Sequence, residues 1–493
     1  MFSRRRFLTG AAGFAASPAL GAAPETSLRP VLRPEGFFRR SIPTAEALIE
    51  QALLGGRVGF AVADAATGEM LEMVHPMFPL PPASVAKAVT CAYGLDRLGP
   101  GFRFRTQLVA DGTMADGVLD GDLWLVGSGD PLFDTDTLAA MAGELRTLGL
   151  REVTGRLLVA DGALPHIFQI DPEQPEHVGY NPAVSGLNLN FNRVHFEWAR
   201  QSGEYSVAMD ARSDSLRPEV QIARMRIEDR AAPVYTYAQV EGRDQWTVAR
   251  GALGDQGARW LPVRRPAAYV AEVFETLARS NGLTFREVTL TESEPEAATV
   301  LVEHVSAPLE DILRDMMRWS TNLTAEVIGL LATQAGGVRP ADLRASAAEM
   351  SDWMRETMGA RQARFVDHSG LGDQSRIRPH DMVRALVHAG PNGMLRRLMR
   401  DIPMRDAQGN PIQNHFVEVA AKTGTLNFVS SLAGYARTRS GRDLAFAIFC
   451  GDVARRATLT VDQRERPDGG RDYSARARRL QQQLIDRWAV MYG

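Results

Sequence analysis

Pro81–Thr90 reads PPASVAKAVT, which sets Ser84 and Lys87 three residues apart in an otherwise apolar run. Extended to SVAKAVTCAYGLDRLG, the stretch predicts a helix with Ser84 at its beginning and Gly94 near its end. Residues at i and i+3 share a helix face, so the hydroxyl and the amine are neighbours. A serine hydroxyl is a poor nucleophile until a base stands beside it. A lysine becomes that base when burial or a second cation lowers its pKa. Backbone N–H groups at a helix start also favour negative charge developing on the serine. The plainer reading is a capping serine and a snorkelling lysine. The pair alone does not decide between the two.

The flanking sequence supplies a fold around this helix. SIPTAEALIEQALL spaces Ala45, Leu48, Ile49, Ala52 and Leu53 at helical intervals, and RVGFAVADAATGEMLEMV reads as strand, turn, strand. From about Phe102 the texture changes to short alternating segments broken by Gly and Asp, with one amphipathic helix in YVAEVFETLARSNGL. Residues 102–298 are read as an inserted, mainly β region, with room for a smaller module nested inside. From 299 helices return in APLEDILRDMMRWSTNLTAEVIGLLATQAG and LRASAAEMSDWMRETMG. VEVAAKTGTLNFVSSLAGYARTRSGRDLAFAIFCGD then predicts successive strands with RSGRD as a hairpin turn. A last helix places Leu480, Leu484 and Trp488 on one stripe.

Two fragments in the C-terminal part bear on the first. RWSTNLTAE carries Ser320 and Asn322, which share a face in a strand and converge in a tight turn. AAKTGTLNF carries Lys422, Thr423, Gly424 and Thr425 on a predicted strand, where Gly424 lets a ligand backbone approach closely. Taken singly, each is ordinary. In this order, S-x-x-K, S-x-N and K-T-G form the signature of penicillin-binding proteins and serine β-lactamases.

With these motifs in place the chain resembles the large D-alanyl-D-alanine carboxypeptidase/endopeptidase class typified by penicillin-binding protein 4 (peptidase family S13). PASVAKAVTCAYGLDRLGPGFRFRT, GVLDGDLWLVGSGDPLF, YNPAVSGLNLNFN and FVDHSGLG resemble successive segments of that class. The resemblance implies an α+β fold: a serine β-lactamase/DD-transpeptidase-like domain, an antiparallel sheet with helices on both faces, interrupted by the insertion. Its parts would be 24–101 and 299–493. It implies that Ser84 attacks the carbonyl of a terminal D-Ala-D-Ala peptide and that Lys87 takes the serine proton, with Lys422 disfavouring a second ammonium. The N–H groups of Ser84 and Thr425 would form the oxyanion hole. Ser320 would relay a proton to the departing amine, and Asn322 would bind the substrate amide and orient Lys87. Lys422, Thr423 and Thr425 would hold the terminal carboxylate. Peptidoglycan stem peptides are the implied substrates and β-lactams the implied covalent inhibitors, with no metal or organic cofactor.

The chain also departs from that class. Where the class has D-G-S-G-L-S-R, this sequence reads DHSGLGDQSR. His368 replaces a small residue, Gly372 a serine, and Asp373 stands where the class often has arginine. That element helps the class recognise a diamino-acid side chain, so Arg376 or Arg378 is expected to compensate. His368 is read as a solvated loop residue. Cys91 and Cys450 are read as small buried hydrophobes, a disulfide being the alternative.

Bulk properties narrow the remaining choices. The chain has 493 residues, a net charge of -3, two cysteines and nine scattered histidines. These exclude a disulfide scaffold and a cysteine-ligated zinc site, and give no sign of nucleic-acid binding. The N-terminus, MFSRRRFLTGAAGFAASPALGAAPE, has a basic start, a short apolar middle and small residues from Ala19 to Ala23. Ser3, Arg4, Arg5, Phe7 and Leu8 match the twin-arginine pattern; an ordinary secretion signal is the alternative. Residues 1–23 are thus read as an export signal, and the mature chain as periplasmic without a transmembrane anchor. A β-lactamase is the competing enzyme, but no E-x-x-x-N element of the class A type is evident and the insertion is long. A non-catalytic peptidoglycan-binding protein is the third reading, against which stand the intact Ser84, Lys87 and Lys422.

Overall fold

The computed structural model describes residues 42–493, and the expected export signal lies outside them. The central sheet is six-stranded and antiparallel throughout. Its strands run in the order Arg400–Asp401, Val417–Leu426, Val429–Thr438, Asp443–Gly451, Arg57–Asp64, Met70–Val74. The first and second halves of the sequence therefore meet where Arg57–Asp64 pairs with Asp443–Gly451.

The period-2 side-chain rule explains why both faces are covered. Phe60, Val62, Leu444, Phe446 and Ile448 point to one face, under the C-terminal helix Gly470–Tyr492 and the short helix Ala45–Gln51. Leu480, Leu484 and Trp488 fill that layer as expected, each fully buried. Burying a leucine side chain contributes about 1.5–3 kcal/mol. Leu53 does not join them: the helix ends at Gln51 and Leu53 is exposed. Ala61, Ala63, Ala433, Ala445 and Ala447 point the other way. Their small side chains let a layer of helices settle close to the sheet. Cys450 lies on the first face and Cys91 in the second layer, so the sheet separates them; both are free and buried.

The helical layer holds Ala86–Leu98, Leu309–Trp319, Asn322–Ala335, Leu343–Met358 and Pro379–Ala389. Ala86–Leu98 runs one turn past Gly94 and stops at Gly99, whose φ is +78°. Gly94 is a packing residue instead: a Cβ there would lie 2.7 Å from Ile328 Cγ2. None of the described helices is long and apolar enough to cross a membrane.

The insertion is mainly β, with two helices. A five-stranded mixed sheet, in the order Val288–Thr291, Leu157–Ala160, Leu123–Val126, Arg105–Ala110, Thr299–Val305, is accompanied by three three-stranded sheets. Thr299–Val305 pairs with Arg105–Ala110, so helices resume at Leu309, one strand later than the sequence reading placed them. Pro266–Ser280 is the expected amphipathic helix. Thr135–Thr147 is a helix the strand reading of this region passed over. Its marks are an Asp134 cap accepting from the Thr137 N–H (2.8 Å) and apolar residues at 138, 141, 142 and 145. The stretch before Arg193, expected as strand, is an irregular buried segment because its asparagines bind backbone. Asn188 donates to Gly129 O (3.0 Å) and Asn192 to Ala183 O (3.0 Å).

Candidate active site

Ser84 sits in a single 3₁₀ turn, Ala83–Val85, that leads into Ala86–Leu98. It is half-buried while its helix neighbours are buried. Two glycines make room for the turn. A Cβ on Gly424 would lie 2.5 Å from Pro82 O and 3.0 Å from Ser84 N; one on Gly370, with φ +74°, would meet Ala83 O at 1.9 Å. Gly424 was expected to admit a ligand backbone. What approaches it is the backbone of the nucleophile's own turn.

Lys87 is fully buried directly beneath Ser84. Its Nζ donates to Ser84 Oγ (3.1 Å), Asn322 Oδ1 (2.7 Å) and Ser369 O (2.8 Å), which accounts for all three N–H bonds of an ammonium. Burial lowers its pKa below the ordinary lysine range, and the charges of Glu326 and Asp367 act in the opposite sense. Lys422, also buried, donates to Ser320 Oγ (3.0 Å) and Thr423 O (2.9 Å). Its pKa is lowered well below the ordinary value by burial first, then by Lys87 and Arg400.

The S-x-N motif is a turn between two helices. Ser320 closes Leu309–Trp319 in the left-handed region (φ +61°), with its N–H donating to Met316 O (2.8 Å), and Asn322 opens Asn322–Ala335. The turn brings both side chains to the lysines. Asn322 Nδ2 donates to Tyr180 O (2.8 Å), which joins the insertion to the site. Ser84, Lys87 and Asn322 thus form one hydrogen-bonded group and Ser320 and Lys422 a second, with Ser84, Ser320 and Asn322 lining the same cavity. Thr425 is exposed beside them in this cavity, which has a volume of about 1080 Å³ and is lined also by Tyr180 and Arg456. Thr423 is half-buried and meets the second group through its carbonyl, which accepts from Lys422.

His368 is not solvated. It is fully buried, its Nε2 lies 2.8 Å from Ser346 Oγ, and burial pushes its pKa down to about 3, so the ring is neutral. Gly329 makes the space: a Cβ there would overlap the His368 ring at 2.0 Å. Arg376 donates to the carbonyls of Asp373 and Ser375, and Arg378 precedes a helix start. Asp373 faces the buried Arg456, at 3.4 Å. The sequence reading also passed over Glu326 and Asp367, both buried in the cluster beneath Ser84. Glu326 follows Asn322 by one helical turn, which is the signal that would have found it.

The geometry places a half-buried hydroxyl against a buried amine of lowered proton affinity, with a second buried amine across the cavity floor. The family model of the D-Ala-D-Ala carboxypeptidase 3 (S13) family matches residues 42–466. The chain belongs to this family. It is a serine-type D-Ala-D-Ala carboxypeptidase-class hydrolase, with the α+β fold of the penicillin-recognising enzymes. A D-alanyl-D-alanine carboxypeptidase of Actinomadura sp. (strain R39) is 29% identical over 448 residues, covering 84% of this chain and 82% of that one. D-alanyl-D-alanine carboxypeptidase DacB of Haemophilus influenzae is 24% identical over 414 residues, covering 80% and 85%. Among solved structures, penicillin binding protein 4 (dacB) of H. influenzae superposes with a TM-score of 0.74 at 20% identity, over 90% of this chain and 100% of that one.

Proposed function

We propose that Ser84 is the acylated nucleophile of a periplasmic D-Ala-D-Ala carboxypeptidase, endopeptidase or both, acting on peptidoglycan stem peptides. The observation that carries this reading is the 3.1 Å contact between Ser84 Oγ and the fully buried Lys87 Nζ. Neutral Lys87 takes the Ser84 proton as Oγ bonds to the carbonyl carbon of the penultimate D-alanine. The N–H groups of Ser84 and Thr425 receive the oxyanion. Ser320, held by Lys422, passes a proton to the leaving amine as the C–N bond breaks. Lys422, Thr423 and Thr425 hold the terminal carboxylate, and Asn322 orients both Lys87 and the substrate amide. Water then cleaves the ester and restores the Ser84 hydroxyl.

Recognition of the stem peptide upstream of the scissile bond falls in this reading to Arg456. It is 2% exposed in the cavity wall, its Nε and Nη2 have no hydrogen-bond partner among the described residues, and its Nη1 lies 3.5 Å from Asn427 O. Leaving buried N–H groups of a cation unpaired is costly, and a substrate side-chain carboxylate would supply acceptors. The twin-arginine pattern at Ser3–Leu8 supports export of the folded protein.

The test is labelling with a fluorescent penicillin, followed by intact mass, on the mature protein and Ser84→Ala. The expected result is a long-lived adduct on the wild type alone. Rapid loss of label with penicillin turnover would favour a β-lactamase. A folded wild type that takes no label would sink the acyl-enzyme reading.

A further inference from the structure

Beneath Ser84 the protein buries three ionisable groups together: Lys87, Glu326 and Asp367, of which none is more than 1% exposed. The acyl-transfer steps proposed above use only the lysine. Glu326 faces the cluster from Asn322–Ala335, four residues after Asn322. One carboxylate oxygen, Oε1, accepts the Ser369 N–H (2.9 Å), and the other, Oε2, accepts the His368 N–H (2.9 Å). Ser369 is the residue whose carbonyl accepts from Lys87 Nζ (2.8 Å). It is therefore gripped at both ends, by Glu326 at its N–H and by Lys87 at its C=O. Asp367 anchors the same loop from its own side chain, accepting the N–H groups of Gly370 (2.7 Å) and Gly372 (2.5 Å).

Two buried carboxylates beside one buried amine are expensive if their only task is to fold a loop, since amide or hydroxyl groups can hold backbone N–H bonds without a charge. We infer that Glu326 is a positioning residue for acylation: it fixes the Ser369 carbonyl that aims Lys87 at Ser84, and its charge sets the pH at which Lys87 becomes a base. The groups facing Lys87 are Glu326 from the neighbouring helix, Asp367 from the loop and Lys422 from the sheet, with Ser84, Asn322 and the Ser369 carbonyl as its hydrogen-bond partners. His368 contributes no charge. Burial raises Glu326 as it lowers Lys87, and Asp367 raises Glu326 further, so the amine and the carboxyl titrate as one unit.

This inference rests on Ser84 being the acylated group. Wild-type labelling checks that first, so a wild type that fails to label breaks the functional reading and not this one. The experiment is the rate of Ser84 acylation by fluorescent penicillin against pH, for wild type, Glu326→Gln and Glu326→Asp. Glutamine keeps the size and removes the charge, so the rising limb is expected to move to lower pH by about one unit or more. Aspartate keeps the charge but is one methylene short of spanning both N–H groups. Its rate is expected to fall at every pH while the limb stays within a few tenths of a unit. A purely structural role would slow both variants with the limb unmoved in each. An unmoved limb in Glu326→Gln overturns the inference. If that variant does not fold, a limb that moves by a unit in Glu326→Asp, whose charge is intact, overturns it equally.

Discussion

The floor and the wall of the cleft treat buried charge in opposite ways. On the floor, Lys87 has three acceptors, Lys422 has two, and Asn322 uses both its oxygen and its nitrogen. In the wall, Arg456 is as deeply buried, yet its Nε and Nη2 make no hydrogen bond among the described residues, and its ionic contact with Asp373 is 3.4 Å long. The floor is complete before any substrate arrives, which is what preorganised acyl transfer requires. In the wall the guanidinium has one ionic partner among the described residues, Asp373, and fewer hydrogen bonds than either lysine. Under the proposed function the floor carries the chemistry and the wall the selection, and each can be broken separately.

The largest effect is expected on the floor. Lys87→Ala removes the base and the group that ties Ser84 to Asn322 and Ser369. Acylation of Ser84 is expected to fall by about 10²–10⁴-fold, the range for losing a general base. The sign of the pH dependence in the wild type follows from the same residue. The neutral amine is the active form, and burial lowers its pKa, so acylation rises with pH and levels off below the ordinary lysine range. Stopped-flow labelling across pH measures both. A Lys87→Ala protein that keeps the wild-type rate and limb would move the base elsewhere and erase the contrast between floor and wall.

The floor was also the legible region. Ser84 and Lys87 are i and i+3 across a 3₁₀ turn and the helix it leads into, Ser320 and Asn322 flank one turn, and Lys422 to Thr425 are consecutive on a strand. Local spacing carries each of them. The central sheet was legible for the same reason, since Phe60–Ala63 and Leu444–Cys450 alternate between two covered faces. The wall is built from contacts that no local spacing records. Arg456 meets Asp373 from a different element, and Arg464 meets Glu173 from the insertion. His368 was misread because loop position was allowed to decide its exposure. Its burial depends on a missing side chain at Gly329, on a helix the loop merely crosses. Thr135–Thr147 had a cap and a periodic apolar face of its own, and was lost only because its neighbours are strands.

An intermediate effect is expected in the wall. Arg456→Ala removes the unpaired donors and leaves Asp373 without its cation. For peptides ending in D-Ala-D-Ala, the measured quantity is the ratio of kcat/KM between a substrate with a free carboxylate on the preceding side chain and its amidated counterpart. That ratio is expected to fall by about 10- to 100-fold, the equivalent of one hydrogen-bonded charge. Arg456→Lys keeps the charge but not the planar fork, and is expected to recover only part of the ratio. A ratio unchanged in Arg456→Ala would reduce the arginine to a structural partner of Asp373 and remove selection from the wall.

The smallest effect is expected where the wall is tied to the insertion. Glu465 accepts from His177 Nε2 (2.8 Å) and Arg259 Nη2 (2.9 Å), while neighbouring Arg464 donates to Glu173 (2.8 Å). The His177 hydrogen bond, then Arg259, pull the Glu465 carboxyl down to about 2, against about 4.3 in an unfolded chain. A depressed folded pKa means that the contribution is present above the unfolded value and is lost as pH falls through the folded one. The side chain is 31% exposed, so solvent screening reduces its worth to about 1 kcal/mol. Urea unfolding of wild type and Glu465→Gln should therefore differ by about that much at pH 7, and the two curves should converge as pH is lowered from about 5 toward 2. Unlike Arg456, this group already has its partners, so it behaves as the floor does. A gap that stays constant over that range would show that the carboxylate charge is not what holds the tie. The tie would then rest on Arg464 with Glu173 and on the stacking of His177 and Arg259 against Tyr235.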